Sequence, residues 1–209
     1  MNIGVILAAG DSKRFGGYMH KQYLKLNGVE VVGYSIRAMK ACDDIDEILL
    51  VVDEEEFASQ YIANKYQVNC IRGGGTRNVS IRNAIDYIKQ NHVCNKVIFH
   101  DSVRPLVNSS KFSDILRQLN DYDAVVTADE IIDALVNINY DGVRRTDYKL
   151  IQSPEGFKFD KIANFNANSD ALAIVSQVED AKIKTVKSDV FNMKITYPED
   201  LFIAEQLMR

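Results

Sequence analysis

Tryptophan is absent from this 209-residue chain, and proline, cysteine and histidine occur three times each. Each scarcity excludes something. Cys42, Cys70 and Cys94 form no CxxC pair, and no histidine stands at ligand spacing from them, so neither a disulfide framework nor a zinc site is expected. A reducing cytoplasm is the simplest compartment. Proline-rich and low-complexity linkers are missing, as are internal repeats, so residues 1–209 are expected to form one domain. No apolar run approaches the ~18 residues needed to span a bilayer. The segment Met1–Gly10 lacks a basic flank and makes a poor signal peptide. No membrane partner is expected. Positive charge is also in short supply: 25 Lys and Arg face 29 Asp and Glu, a net charge of −4. That balance argues against a nucleic-acid surface, and any polyanion must be met by basic residues focused in one place.

What is present is an ordinary apolar content of 46%, which excludes disorder. A chain of this length buries roughly 70% of its extended surface and needs no cross-link to fold. Short β-branched runs at Ile3–Ala8, Glu47–Val52, Val68–Ile71, Lys96–His100 and Asp123–Ala128 read as buried strands. Between them, Val31–Ala41, Glu54–Tyr66 and Val79–Lys89 carry apolar residues at helical spacing. This alternation predicts an α/β fold, a mainly parallel sheet with helices on both faces. Residues 131–145 break the pattern and read as a strand, an Asp141-Gly142 turn and a return. Such an inserted hairpin is an edge element, a flap over the site, or an arm that pairs with another subunit. Beyond it, strands are expected at Lys149–Gln152, Lys182–Val186 and Met193–Ile195, and helices at Phe157–Asn164, at Asp170–Val178 and from Pro198 onward.

Three positions carry the chemistry that the residues alone suggest. Ala8-Ala9-Gly10-Asp11-Ser12-Lys13-Arg14 follows the first strand. A small-residue loop there lets backbone N–H groups approach phosphate oxygens, or it is a structural strand-to-helix turn. It lacks the Gly-Lys-Ser/Thr ending of a Walker loop and is not a GxGxxG fingerprint. Asp101 closes an apolar strand at the sheet's carboxyl edge, as a Mg²⁺ ligand or as a cap on the next turn. Lys194 is a cation between apolar neighbours, facing either solvent or a phosphate.

Five motifs recur in a known order. Ala8-Ala9-Gly10, Arg14 and Lys21-Gln22-Tyr23-Leu24 match AAG-xxx-R-(x6)-KQYL, and Gly73–Ala84 is similar to GGxxRxxSVxNAL. His100–Pro105 is similar to HDAxRP, Gln152–Glu155 to QTPQ, and Asn192–Leu201 to NIKVTxPEDL. The chain thus resembles the methylerythritol phosphate cytidylyltransferase family, which also contains ribitol 5-phosphate cytidylyltransferases. The resemblance spans nearly the whole chain. It implies a Rossmann-like nucleotidyltransferase fold, with the 131–145 arm projecting from it. It also implies a reaction in which an oxygen of a sugar-alcohol phosphate attacks the α-phosphorus of CTP and expels pyrophosphate.

The resemblance assigns roles by position. Arg14, Lys21 and Lys194 are the implied catalytic cations. Ala8, Ala9, Gly10, Asp11, Ser12, Gly73, Gly74, Ser80 and Asp101 are the implied nucleotide-binding residues, with Mg²⁺ on Asp101. For Gly73, Gly74 and Ser80 the alternative is a plain turn leading into a helix. Arg104, Asp133, Arg145, Ser153, Glu155 and Asn168 are the implied acceptor-binding residues. Arg14, Lys21, Arg77, Arg104 and Lys194 should then converge on one cleft, which is the focusing that the net charge demands. A homodimer is implied, with Arg145 of one subunit completing the other's acceptor site.

The match is uneven. His20 replaces the proline that usually precedes Lys-Gln-Tyr, and Gly75 stands where a nucleotide-contacting Asp is common. On the acceptor side the family's Asp-Thr is Asp133-Ala134, its QTPQ ends as Ser153-Pro154-Glu155, and its TD(D/E)A is Asn168-Ser169-Asp170-Ala171. The acceptor therefore need not be methylerythritol phosphate. Two other readings stand beside this one: a sugar-phosphate nucleotidyltransferase using another NTP, and a nucleotide-binding homologue without activity.

Overall fold

The computed structural model of the protein describes residues 1–16, 20–170 and 172–208. Its strands are β1 (Asn2–Ala8), β2 (Lys25–Leu26), β3 (Val29–Glu30), β4 (Glu47–Val52), β5 (Asn69–Arg72), β6 (Lys96–Asp101), β7 (Ala124–Glu130), β8 (Lys149–Lys158) and β9 (Ile183–Val186). The helices are α1 (Val31–Lys40), α2 (Glu54–Ser59), α3 (Tyr61–Tyr66), α4 (Arg77–Asn91), α5 (Ser109–Gln118), α6 (Phe159–Ile162) and α7 (Pro198–Leu207). Seven strands form one sheet in the order β5-β4-β1-β6-β8-β7-β9. Only β8 runs against its neighbours, so the expected mainly parallel sheet is found. None of the helices described is long and apolar enough to cross a membrane.

Alternation along the strands explains the two-sided core. Val5, Val51, Val97 and Phe99 point to one face, where Ile81, Ile85 and Ile88 of α4 cover them. Ile6, Leu50, Val52 and Ile98 point to the other, under Ile36 and Met39 of α1 and Phe112 and Ile115 of α5. Each such side chain, fully buried, contributes roughly 1.5–3 kcal/mol. Helix starts follow from the residues before them: Thr76 Oγ1 accepts from Val79 N at 3.2 Å, and Asp53 Oδ1 accepts from Glu56 N at 3.0 Å. At α7, Pro198 follows Tyr197, and Asp200 Oδ2 accepts from the backbone N–H groups of Thr196 (2.7 Å) and Tyr197 (2.8 Å).

Five of the elements expected from the sequence differ in the structure. Glu54–Tyr66 is two helices, because Gln60 takes a left-handed conformation with φ 51° between them. The helix expected at Phe157–Asn164 shrinks to α6, since Phe157 belongs to the end of β8. That expected at Asp170–Val178 reduces to a 3-10 turn at Ile174–Gln177, with Ala171 outside the described residues. Met193–Ile195 is not a strand; Ile195 N donates once, to Val103 O at 2.9 Å, as the chain crosses to α7.

The fifth departure is the arm. Residues 131–145 contain no strand, only an isolated bridge between Val136 and Gly142. The turn is organised by Asn137, whose Oδ1 accepts from Asn139 N (2.9 Å) and Asp141 N (3.0 Å). Two strands with no third to pair with and no covered face are marginal in water. Here Ile132, Ile138 and Tyr140 are all more than four-fifths exposed, so much of the arm's apolar surface is uncovered within one chain.

Topology places the site. Strand order reverses between β4 and β6, the neighbours of β1, and ligands in open α/β sheets bind beyond the strand ends at such a reversal. The register sets Leu7 beside Asp101 and Ala8 beside Val52, so the loops leaving β1, β5 and β6 meet at one edge.

Candidate active site

The loop after β1 is held from below by the Lys21-Gln22-Tyr23 turn. Gln22, 2% exposed, donates from Nε2 to the carbonyls of Ala8 (2.7 Å) and Gly10 (3.0 Å). Ser12 Oγ accepts from Lys21 N at 3.0 Å and donates to Gln22 Oε1 at 3.3 Å. Ser12 and Gly16 both adopt left-handed backbone, φ 55° and 75°, bracketing the 3-10 turn Lys13–Phe15. His20, the replacement for the usual proline, donates from Nδ1 to Gly10 O at 3.0 Å and so ties the loop by a hydrogen bond. Tyr23 donates to Asp53 Oδ2 at 2.9 Å. The Gln and Tyr of this motif thus build the loop, a role that spacing alone did not reveal.

The glycine loop after β5 packs against the first. A side chain on Gly73 would bring its Cβ within 2.3 Å of Ala9 Cβ and 2.9 Å of Ser80 Oγ, so the close approach of the two loops requires glycine there. Ser80 Oγ accepts from Gly74 N at 3.0 Å and donates to Thr76 O at 3.1 Å.

Asp101 is the electrostatic centre. Burial disfavours its charge, but Arg77, Lys194 and Arg104 outweigh that and hold its carboxyl well below the usual range. Lys194 Nζ donates to Oδ2 at 2.9 Å, Arg77 Nε lies 3.4 Å from Oδ1, and Arg104 Nε lies 3.8 Å from Oδ2. Lys21 adds a further cation. Its pKa is lowered by burial and by the neighbouring charges of Lys194 and Arg14.

A buried relay fixes the Asp101 backbone. Asp101 N donates to Ser153 Oγ at 3.0 Å, which leaves the hydroxyl hydrogen for His100 Nδ1 at 3.3 Å. The network therefore assigns the His100 hydrogen to Nε2, which donates to Arg104 O at 3.3 Å. Burial pushes the His100 pKa down to about 4, so this imidazole is neutral near pH 7.

These elements enclose an open cavity of about 560 Å³ lined by Ala9, Gly10, Asp11, Ser12, Arg14, Lys21, Gly74, Ser80, Asp101 and Lys194, all singled out from sequence. Arg77, Thr76, Ser102 and Leu172 line it as well. Ala8 and Gly73 do not line it; they support it from behind. The acceptor side differs from expectation. Ser153, Glu155 and Arg104 are buried beneath the cavity and committed to internal partners, Arg104 donating to Gln152 Oε1 (3.1 Å) and Asn192 O (2.6 Å). Asp133 is exposed, and Arg145 donates to Ile132 O within the arm. Asn168 bonds through its backbone to Asn166 Oδ1 at 3.0 Å. Neither Asp133 nor Arg145 lines the cavity.

Residues 3–209 match the family described as 2-C-methyl-D-erythritol 4-phosphate cytidylyltransferase. The chain belongs to that family. Among its relatives, the cytidylyltransferase of that name from Clostridium botulinum is 31% identical over 98% of this chain and 97% of its own. The Haemophilus influenzae bifunctional ribulose 5-phosphate reductase/CDP-ribitol pyrophosphorylase Bcs1 is 28% identical over all of this chain and 48% of its own. In fold, the Anaerococcus prevotii 4-diphosphocytidyl-2C-methyl-D-erythritol synthase superposes with a TM-score of 0.84 at 24% identity, covering 100% of this chain and 96% of that one. Membership makes the protein a CTP-dependent cytidylyltransferase, of a family whose acceptors are sugar-alcohol phosphates. The loops after β1 and β5, Lys21, Lys194 and Asp101 lie together at the strand ends.

Proposed function

We propose that the protein transfers CMP from CTP to a small phosphorylated polyol within one nucleotidyltransferase domain, residues 1–209. A phosphate oxygen of the acceptor forms a bond to the α-phosphorus, the bond to the bridging oxygen of pyrophosphate breaks, and pyrophosphate leaves with that electron pair. The observation that carries the reading is the convergence of Arg14, Lys21 and Lys194 on a cavity whose floor is the ionised Asp101. No covalent enzyme intermediate is needed, so the protein's contribution is alignment and neutralisation of developing charge. Backbone N–H groups of residues 9–14 face the triphosphate, Lys21 and Arg14 neutralise it, and Lys194 serves the α-phosphoryl group. Gly74 and Ser80 border the nucleoside.

Asp101 suits a divalent cation of the magnesium type. Among the described residues no group of three or more His, Cys, Asp or Glu could hold a metal, so one carboxylate must act together with nucleotide phosphates and water, which is how Mg²⁺ is commonly bound. Bound there, the ion would draw charge from the α-phosphoryl oxygens.

Both methylerythritol phosphate and ribitol 5-phosphate are acceptors in keeping with the relatives. Pyrophosphate release from CTP, measured against a panel of methylerythritol 4-phosphate, ribitol 5-phosphate and glycerol 3-phosphate, tests the reading. One acceptor is expected to dominate; a folded protein inactive with all of them, with and without Mg²⁺, would overturn it. We also infer a homodimer, in which the exposed apolar residues of the 131–145 arm are covered by the partner and Arg145 reaches the partner's acceptor side. Sedimentation showing an active monomer would exclude that arrangement. The free thiols of Cys42, Cys70 and Cys94 support a reducing, cytoplasmic location.

A further inference from the structure

Arg77 opens α4 and spreads one guanidinium over three partners. Nε lies 3.4 Å from Asp101 Oδ1, Nη2 lies 3.5 Å from Glu155 Oε1, and Nη1 donates to Leu172 O at 2.7 Å. Glu155, on β8, is 2% exposed and takes a hydrogen bond at its second oxygen from Val175 N at 3.4 Å. Val175 belongs to the Ile174–Gln177 turn, and Leu172 just before it lines the cavity. A continuous set of contacts therefore runs from the 172–175 segment through Glu155 and Arg77 to Asp101.

A carboxylate this deep is costly unless a cation and hydrogen bonds compensate it, and among the described residues Arg77 is the cation that pairs with it. The pairing constrains Arg77 in turn. A planar guanidinium gripped at two nitrogens by carboxylates and at a third by a carbonyl has one orientation available, whereas a free one has many. Arg77 is thereby held on Asp101 and is not spent as a mobile counter-charge for phosphate.

We propose that Glu155 is a positioning residue that, by holding Arg77, ties the 172–175 segment, whose Leu172 lines the cavity, to the Asp101 reaction centre. The proposal rests on the cytidylyl-transfer reading and adds to it a group that never touches substrate. An acceptor seated against Leu172 then meets a carboxylate already fixed in place. The role requires an oxygen acceptor at position 155 and leaves nucleotide capture to the loop of residues 9–14 together with Gly74 and Ser80.

The test uses Glu155→Met, which keeps the volume but accepts no such hydrogen bond, and Glu155→Gln, which keeps an acceptor oxygen. Each is assayed for kcat, for KM of CTP and of the best acceptor, and for CTP affinity by calorimetry. Glu155→Met is expected to lose about tenfold or more in kcat while CTP affinity stays within about twofold, and Glu155→Gln to recover most of the loss. On an Arg77→Ala background Glu155→Met should cost nothing further, because the two act as one unit. If Glu155→Met does not fold, Glu155→Ala takes its place in the cycle with Arg77→Ala, and additive losses overturn the proposal. Unchanged kcat in a folded Glu155→Met, or equal losses in kcat and CTP affinity, overturns it as well. Wild-type protein that releases no pyrophosphate with any acceptor would overturn the transferase reading itself, which an active wild type with an indifferent Glu155 would not.

Discussion

Lys194 Nζ reaches Asp101 Oδ2 at 2.9 Å across 93 positions of sequence. The contact closes the site, because Asp101 ends β6 in the middle of the sheet while Lys194 arrives on the irregular segment before α7. Its energetic meaning follows from burial: Asp101 keeps its charge in a desolvated position only because Lys194, Arg77 and Arg104 surround it. Lys194→Gln keeps polarity but removes the charge. It should lower kcat about a hundredfold, in keeping with loss of one oriented donor at a developing oxyanion. Steady-state pyrophosphate release measures this, and a loss smaller than about threefold would remove Lys194 from the reaction centre.

The glycine loop offers a matched pair of substitutions. At Gly73 a Cβ would meet Ala9 Cβ at 2.3 Å and Val52 O at 3.2 Å, while at Gly75 it would meet nothing within 4 Å. Gly73→Ala should push the β5 loop off the β1 loop and weaken CTP binding about tenfold or more, whereas Gly75→Ala should change it less than about twofold. Calorimetric titration with CTP discriminates the two. Equal affinities would mean that the packing of these loops does not shape the nucleotide pocket.

The placement of the loops on the nucleotide side of the candidate site was legible in the sequence, and the reason is local. Ala9–Arg14 and Gly73–Ser80 each sit on one turn directly after a strand, so their place at the sheet edge follows from the strand pattern alone. Asp101 was equally accessible because it closes a strand, whereas Lys21 entered only through the Lys-Gln-Tyr-Leu motif of the resemblance. The acceptor half was not legible. Ser153 and Glu155 sit at a shift in register, where Val126 pairs with Glu155 but Thr127 pairs with Gln152, and that shift buries both side chains. A bulge depends on the partner strand, and a single run of residues carries no sign of it. The arm misled for a related reason: its alternating pattern predicts strands, but one chain provides no surface for them to cover. Arg77 was visible as a basic residue, but its engagement of both Asp101 and Glu155 depends on β6 and β8 being neighbours, which is a property of the topology.

Metal dependence should be conditional on nucleotide. Asp101 is a single carboxylate already paired with Lys194, and no cluster of three or more potential ligands occurs among the described residues. Mg²⁺ should therefore bind weakly to the free protein and tightly only with CTP present, since triphosphate oxygens must complete its coordination. A chelator should abolish pyrophosphate release while leaving the melting temperature of the nucleotide-free protein unchanged. Micromolar Mg²⁺ binding without CTP, read by calorimetry, would show that the protein holds a metal site of its own.

Glu155 makes the folded protein sensitive to pH in a direction opposite to most carboxylates. Burial raises its pKa from 4.5 to about 7, and Arg77 opposes the rise without cancelling it. The folded state thus holds the proton more tightly than the unfolded chain. Between the two values the unfolded chain has released its proton and the folded one has not, so stability falls as pH climbs through this window. The full cost is reached above about 7 and is on the order of 3 kcal/mol. Asp101, held low, acts oppositely and at much lower pH, so subtracting a variant isolates Glu155. Glu155→Gln removes the titration and keeps the shape. Its stability relative to wild type should therefore rise from pH 5 to pH 8, as measured by chemical denaturation at matched ionic strength. A difference that stays flat across that range would show that Glu155 is ionised throughout, held there by Arg77 more strongly than burial opposes it.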